Sequence, residues 1–132
     1  MKPWAASTVA VAAGFLVTAA ASIATDGLMR ATAIFPSSPH RMSDALYVVA
    51  WTYRAIFTVA GGYVTVRLAP NRPWRHAWIL AGIGMAISLA GVVGFYLNGG
   101  PELGPAWYPL AVMIAGIPCV WVGGRLALRS VR

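Results

Sequence analysis

Arg54 is the residue whose position demands a chemical explanation. It lies about nine residues inside an apolar run, 45–66, roughly 14 Å along a helix at 1.5 Å per residue. An arginine at the centre of a membrane helix costs about 2.5–3.5 kcal/mol on translocon scales, and an intramembrane ionisable residue marks a functional site by default. Asp44, Tyr47, Trp51, Arg54, Thr58, Gly61 and Thr65 recur every three or four residues. That spacing collects these seven residues on one helix face, which should turn inward or to a partner rather than to lipid.

Three arrangements would compensate the charge, beside simple snorkelling toward the headgroups. Arg54 could reach outward through a polar pocket to Asp26 or Asp44. It could donate to carbonyls and hydroxyls such as those of Tyr53, Thr58 or Ser88. It could hold an anion, a lipid headgroup or a polar cofactor from a partner. No acid is expected at the depth of Arg54 on any helix. Asp26 and Asp44 flank one connection and could share a mouth there, attracting cations or pairing with Arg30 and Arg41. The plainer reading is a pair of solvated interfacial charges, which are cheap.

The remaining reactive residues form no catalytic or metal pattern. Cys119 is the single cysteine, which excludes an internal disulfide and a CxxC redox pair. It reads as a small apolar filler. His40 and His76 stand in expected loops without the companions of a metal site. No nucleophile has a base at useful spacing and no phosphate motif occurs. The sequence therefore implies no catalytic residue, cofactor or metal, and not an enzyme.

The elements that position Arg54 follow from composition. Hydrophobic residues make up 59% of the 132 and charged residues 10%, against roughly 25% charged in a soluble domain. The solvent that suits such a chain is lipid. The net charge of +7 sits beside apolar runs rather than in one patch, so nucleic acid is not the expected partner. A bilayer core takes about 20 apolar residues as a helix, and helices are expected over 4–25, 45–67, 76–97 and 106–128. The first, with Lys2 before it and Ser22-Ile23-Ala24 near its end, resembles a signal peptide. Its apolar stretch exceeds the usual ~7–15 residues, so it reads as a retained helix.

Lys and Arg counting sets the orientation. Lys2, Arg67, Arg72, Arg75, Arg125, Arg129 and Arg132 fall on one side, and only Arg30 and Arg41 on the other. Both termini are expected in the cytoplasm, with the protein multi-pass in the cell (inner) membrane. All three acids, Asp26, Asp44 and Glu102, fall outside. Trp4, Trp74 and Trp78 mark the inner interface, and Trp107 and Tyr108 the outer one. Ser43 or Asp44 is the expected cap of the second helix, and Pro118 is expected to kink the fourth.

Small residues mark close helix approaches in membranes. Ala77, Ala81, Gly84, Ser88 and Gly91 make such a stripe on the third helix, and Gly14, Thr18, Ala21 and Thr25 a similar run on the first. Internal packing and an interface with a second copy or a larger membrane complex both fit. Gly61-Gly62 and Gly123-Gly124, each followed by an Arg-Leu-Ala, form a short echo of hairpin duplication.

The combination of Asp26, Tyr53-Arg54, Gly61-Gly62-Tyr63, Arg67-Leu68-Ala69-Pro70, His76-Ala77, Trp107-Tyr108-Pro109 and Pro118-Cys119 resembles a family of small bacterial four-helix membrane proteins. The likeness covers most of the chain. It implies the architecture and carries no assigned activity, so it adds no functional residue. The small multidrug resistance transporters are similar in size, but their chemistry needs a carboxylate embedded in the first helix, and residues 4–24 have none.

The expected fold is an all-α membrane protein, an antiparallel bundle of four transmembrane helices forming one domain. The expected role is a non-enzymatic accessory or structural subunit, packing with itself or with a larger complex. The alternative is a small-solute or ion transporter or channel with Arg54 lining a polar path. Candidate polar-site residues are Arg54, Asp26, Asp44, Tyr47, Thr58 and Ser88. Candidate packing residues are Gly84, Ser88, Gly91 and Gly14.

Overall fold

A computed structural model describes residues 2–36 and 42–131. His40, Arg41 and Arg132 lie outside the described residues. Among the described residues the chain is all helical: α1 (Pro3–Ala31), α2 (Asp44–Leu68), α3 (Pro73–Leu97), a 3-10 turn at Gly100–Glu102, and α4 (Trp107–Arg129).

Helices α1, α3 and α4 are long and apolar enough to cross a membrane, with mean hydropathies of 1.8, 2.0 and 1.7 over their best windows. At 25 residues α2 matches them in length. It falls short of them in apolarity because Arg54 and the Tyr, Trp and Thr stripe dilute its Val and Ile.

α1 departs from expectation most. It runs to Ala31, not to residue 25, because no proline stands between Ala24 and Thr32 and Gly27 alone does not end a helix. Its end is set by backbone capping: Thr32 N–H donates to Leu28 O, Ala33 adopts a left-handed φ of 59°, and Phe35 N–H donates to Met29 O at 3.0 Å. This is the geometry that closes helices at their last free carbonyls. The segment 28–35 is therefore no separate interfacial helix, and Asp26 belongs to α1. α3 begins at Pro73, whose missing N–H costs nothing at a first position. His76 is thus buried inside the first turn of α3 rather than placed in the connection before it, and its Nδ1 lies 3.2 Å from Arg72 O. Ser43 takes the N-cap position of α2 without a side-chain cap bond. Pro118 sits inside the unbroken α4.

The glycines explain how the helices meet. On α1, Gly14 lies so close to α2 that a Cβ there would overlap Thr65 Oγ1 and come 2.5 Å from Gly61 O. On α2, Gly61 faces α1, while a Cβ on Gly62 would come 2.6 Å from Val120 O of α4. On α4, a Cβ on Gly123 would overlap Val59 O, and one on Gly124 would sit 3.1 Å from the Trp74 ring of α3. Each glycine doublet therefore serves two neighbouring helices at once. The α1 and α2 contacts pair rising with falling numbers, so these helices run in opposite directions. Along α2 and α4, Tyr47 meets Tyr108, Trp51 meets Ala111 and Tyr63 meets Ser130, so those two helices run the same way.

α1 and α4 do not pack against each other, whereas every other helix pair does. The order around the molecule is therefore α1, α2, α4, α3. A core of Val66, Ala77, Leu80, Ala81, Val120 and Ala127 fills the half nearer the termini. Beyond Ala81 the small stripe of α3 loses its neighbours: a Cβ on Gly84 or Gly91 would meet nothing within 4 Å.

Candidate functional site

The extra turns of α1 bring Asp26 to α2. Asp26 Oδ2 accepts from Arg54 Nη2, and Oδ1 accepts from the Tyr53 hydroxyl. Tyr53 and Arg54 are consecutive, so their side chains leave α2 about 100° apart. One carboxylate seated between the two directions takes both donors. Asp26 lies five residues before the end of α1, and Arg54 ten residues after the start of α2. These are offsets of roughly 8 Å and 15 Å, and the long arginine side chain spans the difference.

Aromatic side chains wall the ion pair. Phe35, buried after the turn that ends α1, stacks on Tyr53 with ring centroids 6.5 Å apart, and Phe57 approaches Tyr53 at 5.9 Å. Across the site, the Tyr47 and Tyr108 rings lie 5.0 Å apart. Tyr47 donates its hydroxyl to Leu103 O at 3.1 Å. Gly104 makes room for that hydroxyl, since a Cβ there would lie 2.6 Å from it. One turn further along α2, Trp51 Nε1–H donates to Ala111 O of α4 at 3.1 Å.

These groups enclose a cavity of about 330 Å³ whose lining includes Asp26, Arg30, Tyr47, Arg54 and Tyr108. A second space of about 20 Å³, lined by Trp51, Arg54 and Thr58 with α4, lies next to it and suits about one water. Arg54 Nε is buried and has no hydrogen-bond partner among the described residues. A donor left so is costly, at roughly 1–3 kcal/mol. Beyond Thr58 the helices close on one another at Gly14–Gly61, Gly62–Val120 and Gly123–Val59.

Arg54, Asp26 and Tyr47 are thus brought together around one space. Thr58 borders the smaller space, but its hydroxyl donates to Arg54 O of its own helix at 2.7 Å, not to an external group. Asp44 is exposed in the first turn of α2 and lines neither space. Ser88 lines neither space. Among the described residues, Asp26 is the only carboxylate that lines the larger cavity. Among the described residues no three His, Cys, Asp or Glu side chains come together as metal ligands would.

Three contributors escape a reading by spacing alone. Phe35 is the one Phe, Tyr or Trp in the connection 26–44, which is a usable signal. Tyr108 reads as an interface anchor, and nothing in the sequence says that it faces Tyr47. Gly104 matters only because of what approaches it. No protein-family model matches the chain, and neither a curated protein nor a solved structure does.

Proposed function

We propose that the chain is a non-enzymatic protein that crosses the bacterial inner membrane four times, with both termini cytoplasmic, and that its outward half binds a small solute for transport. The cavity of about 330 Å³ reaching Arg54 carries this reading, because a charged residue deep in a helix is tolerated where it lines a polar space. What supports α2 as the fourth span is its length of 25 residues. Its polar side chains also turn to α1 and α4. What supports the orientation is Lys2, Arg67, Arg72, Arg75, Arg125 and Arg129 at one end, against Arg30 at the other. The closure beyond Thr58 favours a blind, carrier-like pocket over a continuous pore. α1 does contain a carboxylate, Asp26, but Arg54 already neutralises it, so the pocket does not resemble a cation exchanger built on a free first-helix acid.

Cysteine accessibility tests the pocket. In a Cys119→Ser background, Tyr47→Cys and Tyr108→Cys should react with a membrane-impermeant thiol reagent applied to intact cells, and Thr65→Cys should not. Failure of both cavity positions to react would overturn the reading.

The second reading, an accessory subunit packing with itself or a larger complex, is favoured by the open face of α3 at Gly84 and Gly91. Native mass spectrometry of the wild type and Arg54→Leu separates the two. Loss of a copurifying protein or of a homo-oligomer in the variant speaks for the subunit. Loss of a bound small molecule speaks for the pocket.

A further inference from the structure

The end of the molecule that carries the termini holds Lys2, Arg67, Arg72, Arg75, Arg125 and Arg129. The three acids of the chain all lie at the other end. No Asp or Glu side chain therefore lies at this end to neutralise it, and anions from outside suit it.

One part of that end is shaped to hold such a charge. Gly124 lets the outer edge of the Trp74 ring close against α4, since a Cβ at Gly124 would come within 3.1–3.4 Å of it. Trp74, Leu128, Arg125 and Arg129 border a cavity of about 310 Å³. Arg125 and Arg129 are four residues apart on α4, so their Cβ atoms sit about 5–6 Å apart on one face. Two guanidinium forks at that spacing can grip one phosphate through several charge-assisted bonds. The Arg125 guanidinium is already poised beside the cavity, 5.2 Å above the Trp121 ring.

A second, independent feature indicates the rest of the ligand. From Trp74 an apolar groove continues between α3 and α4, lined by Trp78, Ala81, Ile117 and Trp121. It is too shallow for water, and its walls are apolar. Trp78 and Trp121 remain 54% and 45% exposed along it, so the groove is open to the surroundings of the helices. A phosphate pocket joined through one indole to an apolar groove matches the two parts of a phospholipid. Basic pockets between membrane helices hold anionic headgroups in this way.

We propose that the chain binds an anionic phospholipid against α3 and α4, with its phosphate on Arg125 and Arg129 near Trp74 and an acyl chain laid over the shallow apolar groove beside Trp78 and Trp121. Free phosphate shares the headgroup chemistry but has no use for the groove. The site lies at the opposite end from the Arg54 pocket and does not depend on it.

The test is native mass spectrometry of the full chain, titrated with phosphatidylglycerol, phosphatidylcholine or inorganic phosphate. The wild type, Arg125→Gln/Arg129→Gln and Arg67→Gln/Arg75→Gln are compared; the last removes equal charge from the same end. The wild type should bind phosphatidylglycerol about tenfold or more tighter than phosphatidylcholine. Arg125→Gln/Arg129→Gln should lose about that factor, as expected for two arginines near a headgroup, while Arg67→Gln/Arg75→Gln changes it less than about twofold. Trp78→Ala should weaken the lipid and leave inorganic phosphate unchanged. Equal losses in both arginine pairs would mean diffuse attraction and overturn the site. Equal binding of the two lipids, or inorganic phosphate displacing the lipid at similar concentration, would overturn it as well.

Discussion

The Asp26–Arg54 pair should behave as a coupled unit whose two halves are unequal. Breaking a buried ion pair by removing one partner typically costs about 3–5 kcal/mol, and an exposed pair is worth about 0–1 kcal/mol. Here the two side chains are 27% and 34% exposed. The coupling should therefore fall between the limits, at about 2 kcal/mol. The halves differ because a stranded carboxylic acid can shed its charge by taking up a proton, whereas a guanidinium cannot. In Arg54→Leu, Asp26 also keeps the Tyr53 hydroxyl. In Asp26→Leu, Arg54 loses its anion while its Nε already lacks a partner among the described residues. Asp26→Leu should thus cost about 2–3 kcal/mol and Arg54→Leu about 1–2 kcal/mol, and the double variant should cost about 2 kcal/mol less than their sum. Equilibrium unfolding in mixed micelles with increasing SDS, followed by tryptophan fluorescence, measures all four corners of the cycle. Additivity within about 0.5 kcal/mol, or a larger loss in Arg54→Leu than in Asp26→Leu, would refute the reasoning.

Three further substitutions probe the helix contacts. Gly14→Ala places a Cβ against Thr65 Oγ1 and Gly61 O and should lower stability by about 1–3 kcal/mol; an unchanged melting temperature in detergent would mean that α1 and α2 do not meet there. Gly84→Ala/Gly91→Ala meets nothing within 4 Å and should stabilise a monomer by up to about 1 kcal/mol per site through helix propensity. A loss of stability together with a fall in oligomeric mass would instead place a partner on α3. Ala33→Gly relieves a left-handed φ of 59° and should raise stability by about 1 kcal/mol; a lower melting temperature would contradict the capping turn that ends α1.

Much of the site was open to reading from residue types, and the part that was not has a definite physical cause. The three-four spacing marks the inward face of α2 from Tyr47 to Thr65, though not at the exposed Asp44, and Arg54 stands out on it because burial of a guanidinium is costly. The partner was harder to see. Hydropathy measures where a segment can be dry, so it closes the first apolar run before Asp26. A helix ends elsewhere, where its last carbonyls find other donors, and on α1 that happens only at Thr32 and Ala33. The six residues between the expected end at 25 and the observed one at Ala31 add roughly 9 Å of rigid helix. That added length turns Asp26 from a loop residue into a helical one with a fixed direction. The small residues show a related limit. Gly14 and Gly84 look alike as members of a stripe, yet one touches a backbone and the other touches nothing. Smallness permits close approach, and only the arrangement of the other helices decides whether the approach is made. Here the glycine doublets draw α4 against α2 as a parallel neighbour, leaving the far half of α3 uncovered and the space beside Arg54 open.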